Sequence, residues 1–262
     1  MDDRDVERYL ERIGVEVRPT VDLAGLDELH RAHLSTVPFE NLDVYAGVDV
    51  STDPSRSLAK ILGGCRGGWC FELNGAFGGL LTALGFDVRY LGAAVLLSGP
   101  TAVVSHLCLD VTLDEPYLVD VGFGDSFSRP LALNRTGPQD GGTGTFELLP
   151  SPEGTTLTRT VDGTPEAQYR FSRVARSMPD FEEPSQRLQN DTALNWHQRA
   201  FATRLLDGGP DRVSLIGNRL KFHGPDSAVE TEVDDAEWSA TLLEHFGIVY
   251  EPEGGPWRAR TA

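Results

Sequence analysis

Residues 70–97, CFELNGAFGGLLTALGFDVRYLGAAVLL, change their hydrophobic period partway along, and that change sets the fold class. Phe71, Asn74, Phe77, Leu80, Leu81 and Leu84 recur at intervals of three and four, which lines one face of a helix, and Gly85 ends the run. From Phe86 onward the apolar residues alternate or run on, as they do in strands. A helix therefore hands over to a sheet near residue 85.

Upstream, the helical period persists. Val6, Tyr9, Leu10 and Ile13 space a first helix over 3–13, with Gly14 as its C-cap. Leu26, Leu29 and Leu34 face inward from a second helix over 23–34. STVPFENL (35–42) stops that helix, because Pro38 restricts the residue before it and cannot donate. Residues 57–62 read as a short third helix ending at Gly63-Gly64.

Downstream, strand patterns follow in SHLCLDVTL (105–113) and PYLVDVGFG (116–124), then in TFELL, TTLTRT and AQYRFSRV to about residue 175. NRTGPQDGGTGT (134–145) and SPEGT (151–155) are turn-rich. Residues 176–200 are polar and contain proline, which predicts an irregular segment. RVSLIGNRLKFH (212–223) predicts a hairpin turning at Gly217-Asn218. DDAEWSATLLEHFG (234–247) predicts a helix with Asp234 or Asp235 as N-cap and Gly247 as C-cap, and the last dozen residues are expected to be loose.

The 262 residues carry 40 acids against 23 bases, a formal net charge of −17. That balance argues against a phosphate-backbone partner, which needs a basic footprint, and disfavours an anionic membrane surface. No stretch approaches the roughly 18–20 apolar residues of a membrane span. The acidic, amphipathic start MDDRDVERYLERIG is neither a secretory signal nor an Arg-rich transit peptide, so the expected location is the cytoplasm.

Cys65, Cys70 and Cys108 are the three cysteines. Cys65 and Cys70 are five apart with no second ligand pair, which speaks against a metal site. Cys70 follows Gly67-Gly68 and starts the 70–84 helix, where unpaired N–H groups and the dipole favour a thiolate. Such a thiolate attacks acyl groups, but needs a base and a group to orient that base. His30 and His33 lie on a helix and His197, His223 and His245 near the C-terminus, whereas His106 opens a strand. Asp120, flanked by Val119 and Val121, sits oddly in an apolar run and demands a partner if buried. Asp110, four along from His106, is its rival, and spacing alone leaves the two open.

VPFENLDV (37–44), RGGWCFELN (66–74), SHLCLDV (105–111) and LVDVGFGDSFSRPL (118–131) occur in this order, and together they closely resemble the arylamine N-acetyltransferase family. The resemblance is strong over residues 1–135 and weaker to about 250. It implies an α+β fold with a helical bundle over 1–85, a β-barrel over 86–190 and a C-terminal α/β lid over 191–262. It also implies a papain-like triad of Cys70, His106 and Asp120, which favours Asp120 over Asp110.

By the same resemblance, Cys70 takes an acetyl group from acetyl-CoA as a thioester and passes it to an arylamine, hydrazine or arylhydroxylamine, with ping-pong kinetics. Acetyl-CoA is then a substrate, and no permanently bound cofactor or metal is expected. Phe39, Trp69, Val95, Phe123, Gly124 and Phe201 match substrate-binding positions, while Glu40, Arg66, Glu72 and Asn74 support the site. A homodimer is compatible with the family pattern.

Two stretches depart from that pattern. Asp125 follows Gly-Phe-Gly where a further glycine is frequent, and a carboxylate there would draw cationic or polar acceptors. NWHQRAF (195–201) lacks the Ser/Thr-x-Pro element usual before the phenylalanine. CoA phosphates need cationic or helix-terminal partners, for which the sequence offers chiefly Arg56, Lys60, Arg89, Arg173 and Arg176. The alternative within the fold is an amide synthase, which joins a longer acyl chain from a carrier-protein thioester to an aromatic amine. A hydrolase using the same triad and a non-catalytic binding protein are more distant readings.

Overall fold

The computed structural model describes residues 1–207, 209–224 and 228–250, so the closing residues expected to be loose lie outside the described part. Helix α1 (Asp3–Arg12) begins with a reciprocal cap in which the Asp2 carboxylate accepts from the Asp5 N–H at 2.8 Å. Helix α2 (Leu23–Thr36) is capped by Asp22, which accepts from the Gly25 N–H at 2.9 Å. It stops before Pro38, and the chain enters the two-residue strand β1 (Phe39–Glu40). Helix α3 (Leu42–Ala46), unforeseen in the sequence, is one short turn ended by Gly47. Helix α4 (Pro54–Gly63) starts earlier than the 57–62 expected, because Asp53 caps it and Pro54 suits its first turn. Helix α5 (Cys70–Leu84) ends at Gly85 in the left-handed region, φ 103°.

An eight-stranded antiparallel sheet then curls almost into a barrel. Its strands are β2 (Asp87–Val95), β3 (His106–Thr112), β4 (Pro116–Val119), β5 (Leu131–Ala132), β6 (Gln139–Asp140), β7 (Thr145–Ser151), β8 (Gly154–Val161) and β9 (Thr164–Arg176), in spatial order β5-β4-β3-β2-β9-β8-β7-β6. The two edge strands meet through a side chain. Gln139 accepts from the Ala132 N–H at 2.9 Å and donates to its carbonyl at 3.1 Å, which satisfies edge groups that would otherwise be left open. The strand expected over 116–124 stops at Val119, where the chain bends toward α5.

Residues 176–200 are not irregular. They form a 3₁₀ turn (Met178–Phe181), helix α6 (Glu182–Asn190) and helix α7 (Asn195–Gln198). The sequence hid α6 because its only large apolar residue is Leu188, so no hydrophobic period shows. Tertiary bonds hold it instead. Gln189 accepts from the Val50 N–H at 2.7 Å and donates to the Val50 carbonyl at 2.8 Å, and Thr52 donates to Glu182 at 2.6 Å.

The chain closes with β10 (Phe201–Leu205), β11 (Arg212–Ile216), β12 (Arg219–His223), β13 (Ala228–Glu232) and helix α8 (Trp238–Phe246). The β11–β12 hairpin turns at Gly217-Asn218 as expected. Helix α8 starts at Trp238 with Glu237 as N-cap, rather than at Asp234 or Asp235, and ends at Gly247 as expected. Strand β1 joins β10 at one edge of this second sheet, pairing Phe39 with Thr203 and Glu40 with Ala202.

Burial explains how these parts hold together. Phe77 and Leu81 of α5 share one core with Leu107, Leu109 and Val111 of β3, so the helix bearing Cys70 rests on the strand bearing His106. Phe127, Phe146, Leu157 and Phe171 fill the barrel, and Val213, Leu215, Trp238 and Phe246 join the second sheet to α8. Each such buried side chain contributes roughly 1.5–3 kcal/mol relative to exposure. Among the described residues, no helix is long and apolar enough to cross a membrane.

Candidate active site

Cys70 is the first residue of α5 and is 6% exposed. The loop before it is shaped by two glycines. A Cβ on Gly67 would strike the Pro38 carbonyl, and one on Gly68 would come within 2.6 Å of Glu72. Gly68 instead lies flat against β1, where its carbonyl accepts from the Glu40 N–H at 2.9 Å. Glu72 reaches back to accept from the Trp69 N–H at 3.2 Å, which fixes the turn into the helix.

His106 opens β3 and Asp120 follows β4, both buried. The register pairs Leu109 with Val119, so Asp120 falls beside the segment carrying Cys108 and His106. The His106 Nε2–H donates to Asp120 Oδ2 at 2.7 Å, leaving Nδ1 for the Cys70 side. Burial alone would lower the imidazole pKa. The Asp120 charge and hydrogen bond, with those of Cys70, override that and raise it to about 10. Burial likewise opposes ionisation of Asp120, yet His106, Asn74 and the Gly122 N–H hold its carboxyl below the usual carboxylate range. The geometry is that of a thiol beside an oriented imidazole beside a carboxylate.

Asn74, one turn along α5 from Cys70, welds these parts. Its Nδ2 donates to Asp120 Oδ1 at 2.9 Å and to the Leu107 carbonyl at 2.6 Å, and its Oδ1 accepts from the Val121 N–H at 3.0 Å. Gly122 allows the close approach. A Cβ there would meet Asn74 Nδ2 at 2.6 Å and Cys70 Cα at 2.7 Å. Asp110 is not in this constellation. It accepts from Arg173 at 3.3 Å, away from His106.

Four further placements differ from sequence expectation or add to it. Arg66 and Glu40 pair at 2.8 Å, within a larger cluster that also holds Asp43, Lys60 and Glu72. Lys60, offered by the sequence as a phosphate partner, contacts Asp43 at 2.7 Å and Glu72 at 3.0 Å and is committed there. Asp125 is no free acid at the mouth, since Arg159 at 3.1 Å and Arg212 at 3.5 Å neutralise it. Burial pushes the Cys108 thiol up, and Cys65 is exposed in a turn with φ 47°, so neither matches the setting of Cys70.

A cavity of about 80 Å³ opens over Cys70 and His106. Phe39, Trp69, Val95 and Phe123 line it as expected, and Leu97, Ser105, Leu188 and Trp196 line it unforeseen. Phe201 stands one layer back, packed edge-on against Phe39 with centroids 5.8 Å apart. Gly124 also stays outside the lining, in the left-handed region at φ 94°. A larger hollow of about 850 Å³ beside α1 mixes acids such as Glu7 and Glu11 with apolar residues such as Val6 and Leu10, and brings together no nucleophile and base.

Two buried residues around the site were not among those singled out from the sequence. His30 donates from Nε2 to the Asp120 carbonyl at 3.0 Å, which fixes its tautomer. Tyr169 packs at a tilt, its ring centroid 5.1 Å from that of His106 and 5.2 Å from that of Phe123. His30 could have been found from the inward-facing Leu26 and Leu29 beside it; nothing around Tyr169 marked it out. Among the described residues, no group of three or more His, Cys, Asp or Glu is placed to hold a metal ion.

Comparison with known proteins fits this geometry. A family model described as N-acetyltransferase matches residues 22–253. The arylamine N-acetyltransferase of Mycolicibacterium smegmatis is 30% identical over 93% of this chain and 92% of its own. A Salmonella typhimurium relative named arylamine N-acetyltransferase / N-hydroxyarylamine O-acetyltransferase is 35% identical over 88% and 83%. Among solved structures, Mycobacterium marinum arylamine N-acetyltransferase in complex with CoA superposes with TM-score 0.85 at 30% identity, covering 93% of this chain and 92% of that one. The Salmonella typhimurium enzyme superposes with TM-score 0.91 at 26% identity, covering 99% and 96%. With matches along nearly its whole length and a Cys-His-Asp constellation at its centre, the chain belongs to the arylamine N-acetyltransferase family.

Proposed function

We propose that this protein transfers an acetyl group from acetyl-CoA to an arylamine, hydrazine or arylhydroxylamine through an acetyl-Cys70 thioester. The observation that carries the reading is the buried line of Cys70, His106 and Asp120 opening on one apolar cavity. The names of the relatives and the CoA complex of one of them support the donor and acceptor classes.

In the first half-reaction the Cys70 sulfur, as thiolate, attacks the thioester carbonyl carbon. The tetrahedral intermediate collapses, the bond to the CoA sulfur breaks, and His106 supplies the proton to that leaving thiolate. In the second half the amine nitrogen attacks acetyl-Cys70, His106 accepts the nitrogen's proton, and the Cys70 sulfur leaves as thiolate. Asp120 keeps the imidazole in one orientation throughout and supports its positive charge. Asp120 needs no proton of its own, because three donors already satisfy it.

The proposed division of labour follows the chain. Residues 1–85 would supply the nucleophile, 86–190 the base and its carboxylate, and 191–262 a cover. Initial rates with acetyl-CoA and p-anisidine, both varied, test the transfer. Parallel double-reciprocal lines and an N-acetyl product are expected. Intersecting lines would exclude the ping-pong order, and free acetate without acetylated amine would mean hydrolysis.

A further inference from the structure

The cavity over Cys70 has a fixed roof that the chemistry above does not use. Leu188 of α6 and Trp196 of α7 line it, and Trp196 comes from the 195–201 stretch whose sequence departs from the family pattern. The buried Asn41 clamps that stretch. Its Nδ2 donates to the Trp196 and Arg199 carbonyls, each at 2.9 Å, and its Oδ1 accepts from the Phe201 N–H at 2.7 Å. The Trp196 ring rests 5.7 Å from Phe39. His197 Nε2 donates to the Leu188 carbonyl at 3.2 Å, which joins α7 to α6. Arg187 donates to the Val104 carbonyl and so ties α6 to the loop between β2 and β3.

Leu188 and Trp196 are therefore held on several sides, and the space beneath them is about 80 Å³. Pockets that take drug-sized ligands run to roughly 300–1,000 Å³. Close-packed surroundings resist added methylenes, because neighbours must leave their preferred rotamers to admit them.

We propose that Leu188 and Trp196 form a size gate over Cys70, restricting the group it carries to a short acyl chain. Acetyl fits beneath the roof, whereas a hexanoyl or longer chain must displace Leu188 or Trp196 and would also occupy the approach of the amine. This rests on the acyl-Cys70 reading above, and it separates short CoA thioesters from the long carrier-borne chains of an amide synthase.

The test compares ratios of rates at Cys70. Iodoacetamide and its N-hexyl derivative read the space without any thioester, and acetyl-CoA and hexanoyl-CoA read it with one, all followed by intact mass in the absence of amine. In the wild-type protein the short alkylating reagent should outpace the long one roughly tenfold or more. Leu188→Ala or Trp196→Ala should shrink that ratio about threefold or more, and either variant that melts cooperatively suffices. Equal alkylation rates in the wild type, or a ratio unchanged in both variants, would overturn the gate. Failure of both CoA thioesters to load, with the alkylation ratios as expected, would leave the gate standing and remove the acyl-CoA donor.

Discussion

His106 Nε2 and Asp120 Oδ2 meet at 2.7 Å inside the protein, with the two side chains 3% and 0% exposed. A charge on either one alone would be costly there, so the pair titrates as a unit. Removing the Asp120 charge should undo His106. For Asp120→Asn we expect kcat/KM for acetyl transfer to fall by roughly 10³–10⁴, the scale of losing the orienting carboxylate in a triad. Iodoacetamide labelling of Cys70 should slow with it. Unchanged labelling would show that Asp120 does not act through His106.

The same pair gives a stability signature with a definite sign. His106 is raised from 6.5 to about 10 in the folded protein. Its contribution is fully present below the unfolded value and is lost as pH rises from 6.5 through about 10. Asp120 is lowered, so its contribution is lost only as pH falls through the acid range. Urea midpoints at about pH 6 and about pH 10 should drop more for the wild type than for His106→Gln. Equal drops would contradict the assignment.

Asn74→Ala should cost stability as well as activity. The change removes three buried hydrogen bonds and orphans the Val121 N–H and the Leu107 carbonyl. Leaving such groups unmet costs about 3 kcal/mol in all. For a chain of this size that lowers Tm by on the order of 10 °C. A melting temperature within about 2 °C of wild type would show that Asn74 is not the weld between α5 and the Asp120 loop.

Gly122→Ala probes geometry with one methyl group. The new Cβ would fall 2.7 Å from Cys70 Cα and 2.6 Å from Asn74 Nδ2, so the loop must shift away from the nucleophile. A displacement approaching 1 Å at a reacting group costs roughly 100-fold in rate. Steady-state kinetics should show that loss mainly in kcat.

Lys60 sits among Glu40, Asp43 and Glu72, and its removal should strand buried carboxylates. Breaking such a cluster from one side costs about 3–5 kcal/mol. Burial already pushes Glu72 up to about 7, so its proton favours the folded state below 4.5 and that help is lost as pH rises through 7. Lys60→Met should therefore be more destabilised at about pH 8 than at about pH 5, as chemical denaturation would read. The reverse order would mean the carboxylates are not sharing Lys60.

Legibility in the sequence followed periodicity and local rules. Helix α5 and strands β2 and β3 declared themselves by apolar spacing, and Cys70 by its place after two glycines at a helix start. Gly217-Asn218 and Gly247 were readable as turn and cap because those conformations favour few residues. Helix α6 was not, since hydrogen bonds to Val50 and Thr52 rather than a hydrophobic stripe hold it. Leu188 and Trp196 consequently went unnoticed as cavity walls. The choice between Asp120 and Asp110 needed the strand register or the family resemblance, because both lie within reach of His106 along the chain. Asp125 misled for a similar reason. Its partner Arg159 is 34 residues away and Arg212 lies farther still, on another sheet.

The central claim is that Cys70 carries the acyl group. Intact-mass measurement after mixing with acetyl-CoA, without amine, addresses it most directly. One added acetyl mass, absent in Cys70→Ala and discharged when an arylamine is added, is the predicted result. An adduct that survives in Cys70→Ala, or none in a wild-type protein that still acetylates arylamines, would contradict it.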